Sequence, residues 1–368
     1  LERSLLFVYI LGLAVFAQGT SEFMLSGLVP DIARELAVPV GAAATLTSAY
    51  AIGMVVGAPV MAALSARWPR RRALVTFLAT FVVAHIIGAV TSDFATLFAT
   101  RAIAAVANAG FLAVAMSVVG ARGAAVLIGG VTLSCVVGVP AGALLGQLFG
   151  WRSAFWAVAA LSVPALVFVF RAAPTEPAGT RHVTREFSAL RSRPLRRTLL
   201  LAALVNGATF ATFAYLAVIA TSVTGLPDGA VPGLLAAFGA GAFAGVTARI
   251  PDRWLPAGLV ALPLGWLTLV LVSASPIALF CAAAVAGALS FGIGSALVAQ
   301  VMRLAPDAPS LGGAFATVAL NVGAVLGPAA AGVITETTGD HRHAVWLSVV
   351  ATATACVLPR RRCTVRRH

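Results

Sequence analysis

GTSEFMLSGLVPDIA, residues 19–33, places a carboxylate, Glu22, in the middle of the first long apolar run of the chain. An acid at that depth in a bilayer costs about 2.5–3.5 kcal/mol on insertion scales, so it needs a reason to be there. The composition makes a bilayer the right frame. Of 368 residues, 60% are hydrophobic and 10% charged, and the mean hydropathy is +0.99, which is the composition of an integral membrane protein.

A span needs about 20 mostly apolar residues. Runs bounded by charge, Pro or Gly predict twelve of them, at 4–28, 41–65, 73–92, 95–117, 124–147, 152–171, 198–222, 231–250, 256–273, 276–302, 311–334 and 344–358. Arg3 ahead of the first run resembles a signal peptide. The run continues instead into Gln18, Thr20, Ser21 and Glu22 with no small-residue cleavage pattern, so it is read as a span.

All 25 basic residues are arginine, and with the N-terminus inside, 21 fall on the inner face, three outside (Arg34, Arg152, Arg342) and one, Arg101, in a span. That asymmetry predicts cytoplasmic N- and C-termini in a cytoplasmic membrane. It also accounts for the net charge of +13. A nucleic-acid partner would require a basic face on a polar folded domain, and the sequence has none. Residues 172–197 carry Pro174, Pro177, Pro194 and a cluster of arginines, and are expected to form a cytoplasmic linker between an N-terminal six-helix bundle (1–171) and a C-terminal one (198–368).

The halves echo each other. AlaArgTrpPro closes the second span at 66–69, and AspArgTrpLeuPro closes the eighth at 252–256. Gly138, Pro140, Gly142 and Gly146 in the fifth span find counterparts in Gly323, Gly327 and Pro328 of the eleventh. Glycines four apart serve close helix packing; their recurrence six spans later is the signature of a transporter built from repeated bundles.

Two ionisable groups stand out inside the predicted spans. Glu22 lies about 12 Å below the outer end of the first span, and Arg101 about 9 Å below the start of the fourth. Opposite charges at one depth are expected to face the bundle interior and either pair or line a wet cavity, as a structural lock or for proton coupling, with Asp31 at the outer mouth either part of a solvated face or a proton antenna. Gln18 shares a helix face with Glu22, and Asn108 shares one with Arg101. Asn206, Phe210 and Phe213 make a stripe on the seventh span, with Tyr215 nearby. Together with Tyr50, Phe291 and Asn321, and with Phe238 and Gln300 behind them, these sketch a substrate cavity. Cys135, Cys281, Cys356 and Cys363 have neither zinc nor disulfide-framework spacing. His341 and His343 sit two apart in an outer loop and suit no metal pair or catalytic triad. With no phosphate-binding loop either, no catalytic residue, metal or cofactor is expected.

The stretches AVFAQGTSEFMLSGLVPDIA (14–33), LTSAYAIGMVVGAPVMAALSARWPRR (46–71), RAIAAVANAGFLAVAMS (101–117) and VVGVPAGALLGQLFGWRSAFW (136–156) resemble the twelve-span drug:proton antiporters of the major facilitator superfamily, and within them the actinobacterial chloramphenicol exporters. The resemblance implies an all-α membrane fold of two pseudo-symmetric six-helix bundles, working as a monomer with protons and a small molecule as partners. A chloramphenicol-like drug is the implied substrate, with export of a sugar, purine nucleoside or amino acid, or a non-transporting sensor, as alternatives. It also implies proton relay at Arg101 and Glu22, and an antiporter motif at Gly138–Gly146, although GlyValPro replaces the usual GlyPro. The inner gate falls on Arg67, Arg70 and Arg71 of AALSARWPRR (62–71), where Ala66 takes the place of the family's aspartate. The connection between the fourth and fifth spans is shorter than the group's pattern.

Overall fold

A computed structural model describes residues 2–65, 68–173, 187–248, 250–305 and 312–357. Among the described residues, ten helical stretches are long and apolar enough to cross a membrane, and two shorter apolar helices, Leu255–Leu271 and His343–Val357, bring the number to the twelve expected. Helices are what a bilayer demands, since each helix satisfies its own backbone polar groups where no water is present to do so.

In the first half, α1 (Glu2–Phe23) is followed by α2 (Val29–Glu35), α3 (Val40–Ser65), α4 (Arg70–Val90), α5 (Phe94–Leu133), α6 (Val139–Phe149) and α7 (Arg152–Ala172). In the second, α8 (Arg193–Val218) is followed by α9 (Val231–Thr247), α10 (Leu255–Leu271), α11 (Pro276–Leu304), α12 (Gly312–Thr338) and α13 (His343–Val357). Most span limits agree with the sequence to within a few residues. Three differ for identifiable reasons.

The first span ends at Phe23 instead of running to residue 28. A 3-10 turn, Met24–Gly27, follows, and Pro30 sits in the first turn of α2, where its missing N–H costs nothing. The fourth and fifth spans share one helical stretch, α5, whose beginning lies against α3 (Gly53 to Ala105) and whose end lies against α1 (Gly12 to Val126). A π-helical turn, Ser134–Gly138, then leads into α6. Pro140 in the first turn of α6 removes an N–H and crowds the preceding turn, and a widened turn accommodates both effects. Finally, α8 begins at Arg193, inside the expected linker, with Pro194 in its first turn. Of that linker, 187–191 is a 3-10 helix and 174–186 lie outside the described residues.

Small residues set the helix contacts. Gly53 and Gly57 of α3 lie on Ala105 and Ala109 of α5, and Gly241 and Gly245 of α9 lie on the backbone at Ala284 and Ala288 of α11. Gly142 and Gly146 of α6 face Met24 and Leu28 after α1, while Gly323 and Gly327 of α12 face Ala203 and Gly207 of α8. Spans two and four thus pack as eight and ten do, and one and five as seven and eleven do. Without a hydrophobic force between helices in lipid, such close backbone approach is a main source of association.

Two apolar clusters follow the two halves, and the halves meet where one lends residues to the other. Ala51, Val139 and Ala143 join the second cluster, and Ala314 and Val318 pack on the first. Gly27 lies against Ala143 with Leu235 beyond it, and Gln147 Nε2 donates to the Asp228 carbonyl at 3.3 Å.

Candidate functional site

A buried polar cluster sits where α1, α3, α4 and α5 converge. Arg101 of α5 is 1% exposed. Its Nη1 donates to the Ser21 hydroxyl and its Nη2 to the Ser21 carbonyl, each at 2.7 Å. That carbonyl is open because α1 gives way to the 3-10 turn two residues later, leaving the last carbonyls of the helix without i+4 donors. The guanidinium also lies over the Tyr50 ring, 4.4 Å from its centroid. Asn108, two turns along α5, donates to the Tyr50 hydroxyl at 2.9 Å. The hydroxyl in turn faces the Gln18 carbonyl at 3.5 Å.

Of the two arrangements expected for Glu22 and Arg101, the direct pair is not formed. Among the described residues, no ion pair or hydrogen bond engages the Glu22 carboxylate, which is half-buried and within electrostatic reach of Arg101 and Tyr50. Arg101 arrives at the right level but gives both Nη atoms to the preceding residue, while its buried Nε has no hydrogen-bond partner among the described residues. Gln18 is 1% exposed, and neither atom of its amide has a partner among the described residues.

The site also contains a residue that sequence reading passed over. His85 of α4, 1% exposed, is 2.6 Å from Ser21 Oγ through Nε2 and 2.8 Å from the Phe81 carbonyl through Nδ1. Its signal was present in the sequence: a lone titratable ring in the apolar run 73–92.

The second candidate region is aromatic. Phe23, Thr209, Phe210, Phe213, Phe238 and Phe291 line a narrow, partly open cavity of about 10 Å³ at the junction of the halves. Phe23 stacks on Phe210 at 5.6 Å, and Phe213 and Phe291 flank Phe238 at 5.1 and 6.2 Å. The structure thus brings Phe210, Phe213, Phe238 and Phe291 together and adds Phe23 and Thr209 to them. Asn206 and Asn321 are committed elsewhere: Asn206 Nδ2 donates to the Leu320 carbonyl at 2.7 Å, tying α8 to α12, and Asn321 Nδ2 donates to the Thr317 carbonyl one turn back at 3.0 Å.

The remaining candidates are peripheral to both regions. Asp31 pairs with Arg34 at the surface, and Glu35 with Arg152, around a shallow pocket that also includes Gly146, Gln147, Gly150 and Trp151. Arg71 stacks on Phe170 at 4.6 Å, beside Arg70 at the start of α4. Ala66 and Arg67 lie outside the described residues. Gly138 faces Thr20 of α1, and Gly142 and Gly146 carry the contact on to Met24 and Leu28 beyond its end.

Comparison with known proteins agrees with this architecture. The model of the Major Facilitator Superfamily matches residues 11–318. The chain is 46% identical over 371 residues to a chloramphenicol resistance protein of Streptomyces lividans, covering 95% of this chain and 94% of that one. It is 33% identical over 339 residues to the inner membrane transport protein YdhP of Escherichia coli (strain K12), covering 88% and 87%. The crystal structure of the human organic anion transporter MFSD10 (TETRAN) shares the fold with a TM-score of 0.72, covering 96% of this chain and 98% of that one at 17% identity. A twelve-helix membrane architecture with matched helix pairs six spans apart, and a family match over most of its length, make this chain a multi-pass small-molecule transporter that belongs to the major facilitator superfamily.

Proposed function

We propose that the protein exports a small aromatic drug, of the phenicol class, across the cytoplasmic membrane in exchange for protons. The observation that carries the reading is the 46% identity, over nearly the whole chain, to a protein named for chloramphenicol resistance. The aromatic space between the halves supports it. When the halves part there and Phe23 leaves Phe210, a neutral aromatic ring takes the place of either partner in the stack, and the Thr209 hydroxyl supplies a polar handle. Gln18, with its buried amide, supplies a donor and an acceptor from the first half, and Tyr50 and Asn108 extend that polar wall.

Glu22 is the proton-binding group in this reading. It lies beside a fixed cation without being locked to it, at the edge of the aromatic space through its neighbour Phe23. Protons reach it from the Asp31 side, along the outer end of the first span. The two six-helix bundles, 1–171 and 198–368, rock about the central site as a monomer, with the linker and both termini in the cytoplasm, the side on which 21 of the 25 arginines fall.

The test is expression in a drug-sensitive host challenged with chloramphenicol and several unrelated antibiotics, paired with uptake into everted vesicles. Chloramphenicol tolerance should rise, and uphill drug accumulation should vanish with a protonophore and in Glu22→Gln. Unchanged tolerance to every compound would sink drug export, and protonophore-insensitive accumulation would sink the proton coupling.

A further inference from the structure

His85 has no role in the exchange just described, although it is among the most buried titratable groups in the molecule. Its hydrogen bonds restrict what it can do. Nδ1 faces the Phe81 carbonyl, which can only accept, so Nδ1 carries a hydrogen and Nε2 is left to deal with Ser21. The Ser21 oxygen already accepts Arg101 Nη1. With Nε2 unprotonated, the hydroxyl therefore has one arrangement, its hydrogen donated to His85 and its lone pair to Arg101. The imidazole cannot turn to another partner, because Phe81 and Phe155 enclose it with ring centroids at 4.1 and 5.8 Å.

We propose that His85 is a positioning residue for proton coupling: by holding the Ser21 hydroxyl it pins the Arg101 guanidinium one residue short of Glu22, leaving the Glu22 carboxylate unpaired and free to exchange protons. The inference rests on the proton-coupled reading above. Among the described residues, Arg101 of α5 is the charged group that faces the ring. Ser21 is what α1 presents to it, with Glu22 next along that helix; α7 presents Phe155; and Tyr50 of α3 lies on the guanidinium. Without an acceptor at position 85, the Ser21 hydroxyl turns to a carbonyl of its own helix, as serines in helices do. Arg101 then keeps only the Ser21 carbonyl as a fixed partner, through Nη2, so that Nη1 and the unpartnered Nε turn to Glu22, the acid within reach. A carboxylate held by a guanidinium takes up a proton only in more acid solution, so exchange moves to lower pH.

The experiment measures chloramphenicol-evoked proton movement in proteoliposomes holding the full-length protein, between about pH 5.5 and 8.5, which brackets the range where carboxyl and imidazole groups couple to turnover. Four proteins are compared: wild type, His85→Leu, His85→Gln and Ser21→Ala. Glutamine keeps an amide oxygen for the Ser21 hydroxyl to donate to. The midpoint of the pH profile should move down by about one unit in His85→Leu and Ser21→Ala and stay near wild type in His85→Gln, with the chloramphenicol KM unchanged. Equal shifts in the leucine and glutamine variants, or no shift in either, overturn the positioning role while leaving proton coupling intact. A wild-type midpoint in Ser21→Ala, which removes a single oxygen, overturns it even if His85→Leu fails to fold. Absence of drug-evoked proton movement in the wild type overturns the proton-coupled reading, and this inference with it.

Discussion

Arg101 grips Ser21 with both ends of its guanidinium, Nη1 on the hydroxyl and Nη2 on the backbone carbonyl. Such a two-point hold needs a planar fork, and lysine, with one nitrogen on a flexible stem, cannot reproduce it. Arg101→Lys should therefore keep the charge yet lose efflux by about tenfold or more, the equivalent of one charged hydrogen bond of about 1.5–3 kcal/mol. Arg101→Ala should in addition lower the melting temperature in detergent, with a stability loss of about 2–4 kcal/mol from the hole and the unmet acceptors. Full efflux by the lysine variant would mean that position 101 supplies charge and nothing more.

The stack of Phe23 on Phe210 joins the two halves through the aromatic space. Phe210→Ala should raise the KM for chloramphenicol about tenfold, from the loss of roughly 1–1.5 kcal/mol of ring contact. Phe149, 72% exposed at the end of α6, is the control: Phe149→Ala should leave KM where it is. Transport assays over a substrate range separate the two. Equal KM values for Phe210→Ala and wild type would remove the aromatic space from the substrate path.

What the sequence revealed and what it concealed have physical reasons. Apolar length marked the spans, and glycine spacing marked the helix contacts, because both are local properties. Depth along a helix is also local, since each residue rises by a fixed amount, and Arg101 does meet α1 at the level of Glu22. Facing is not: consecutive residues on a helix are turned by about 100° from one another, and that turn is the difference between Glu22 and Ser21 as the partner. His85 was missed because its partner, Ser21, is 64 residues away and a lone ring in an apolar run has no spacing to read. Asn206 and Asn321 fit a polar stripe by periodicity, yet their amides serve backbone carbonyls, a use that only the packed structure discloses.

Asp93, just ahead of α5, accepts both the backbone N–H and the hydroxyl of Thr96 on Oδ2, each at 2.7 Å. Those donors hold its carboxyl below the ordinary value of 3.8. A group lowered in the folded state contributes stability that is complete above its ordinary value and lost as pH falls through the folded one. Asp93→Ala should therefore melt below wild type at neutral pH, and the gap should close as the solution is taken below about pH 4. Thermal melts at a series of pH values check this. A gap that stays constant into acid would show that the cap works through shape and not through charge.

Gly245 and Gly294 offer a paired test of how the second half is held together. A Cβ on Gly245 would run into the Ala288 carbonyl of α11, a backbone atom that cannot step aside, whereas a Cβ on Gly294 would meet nothing within 4 Å. Alanine is also the better helix former by about 1 kcal/mol. Gly294→Ala should therefore be neutral or slightly stabilising, while Gly245→Ala should push α9 and α11 apart and cost about 1–3 kcal/mol. Reversible unfolding in mixed detergent measures both against wild type. If the two substitutions behaved alike, the contact between α9 and α11 would not depend on close backbone approach, and the matching contact of α3 with α5 through Gly53 and Gly57 would lose the same explanation.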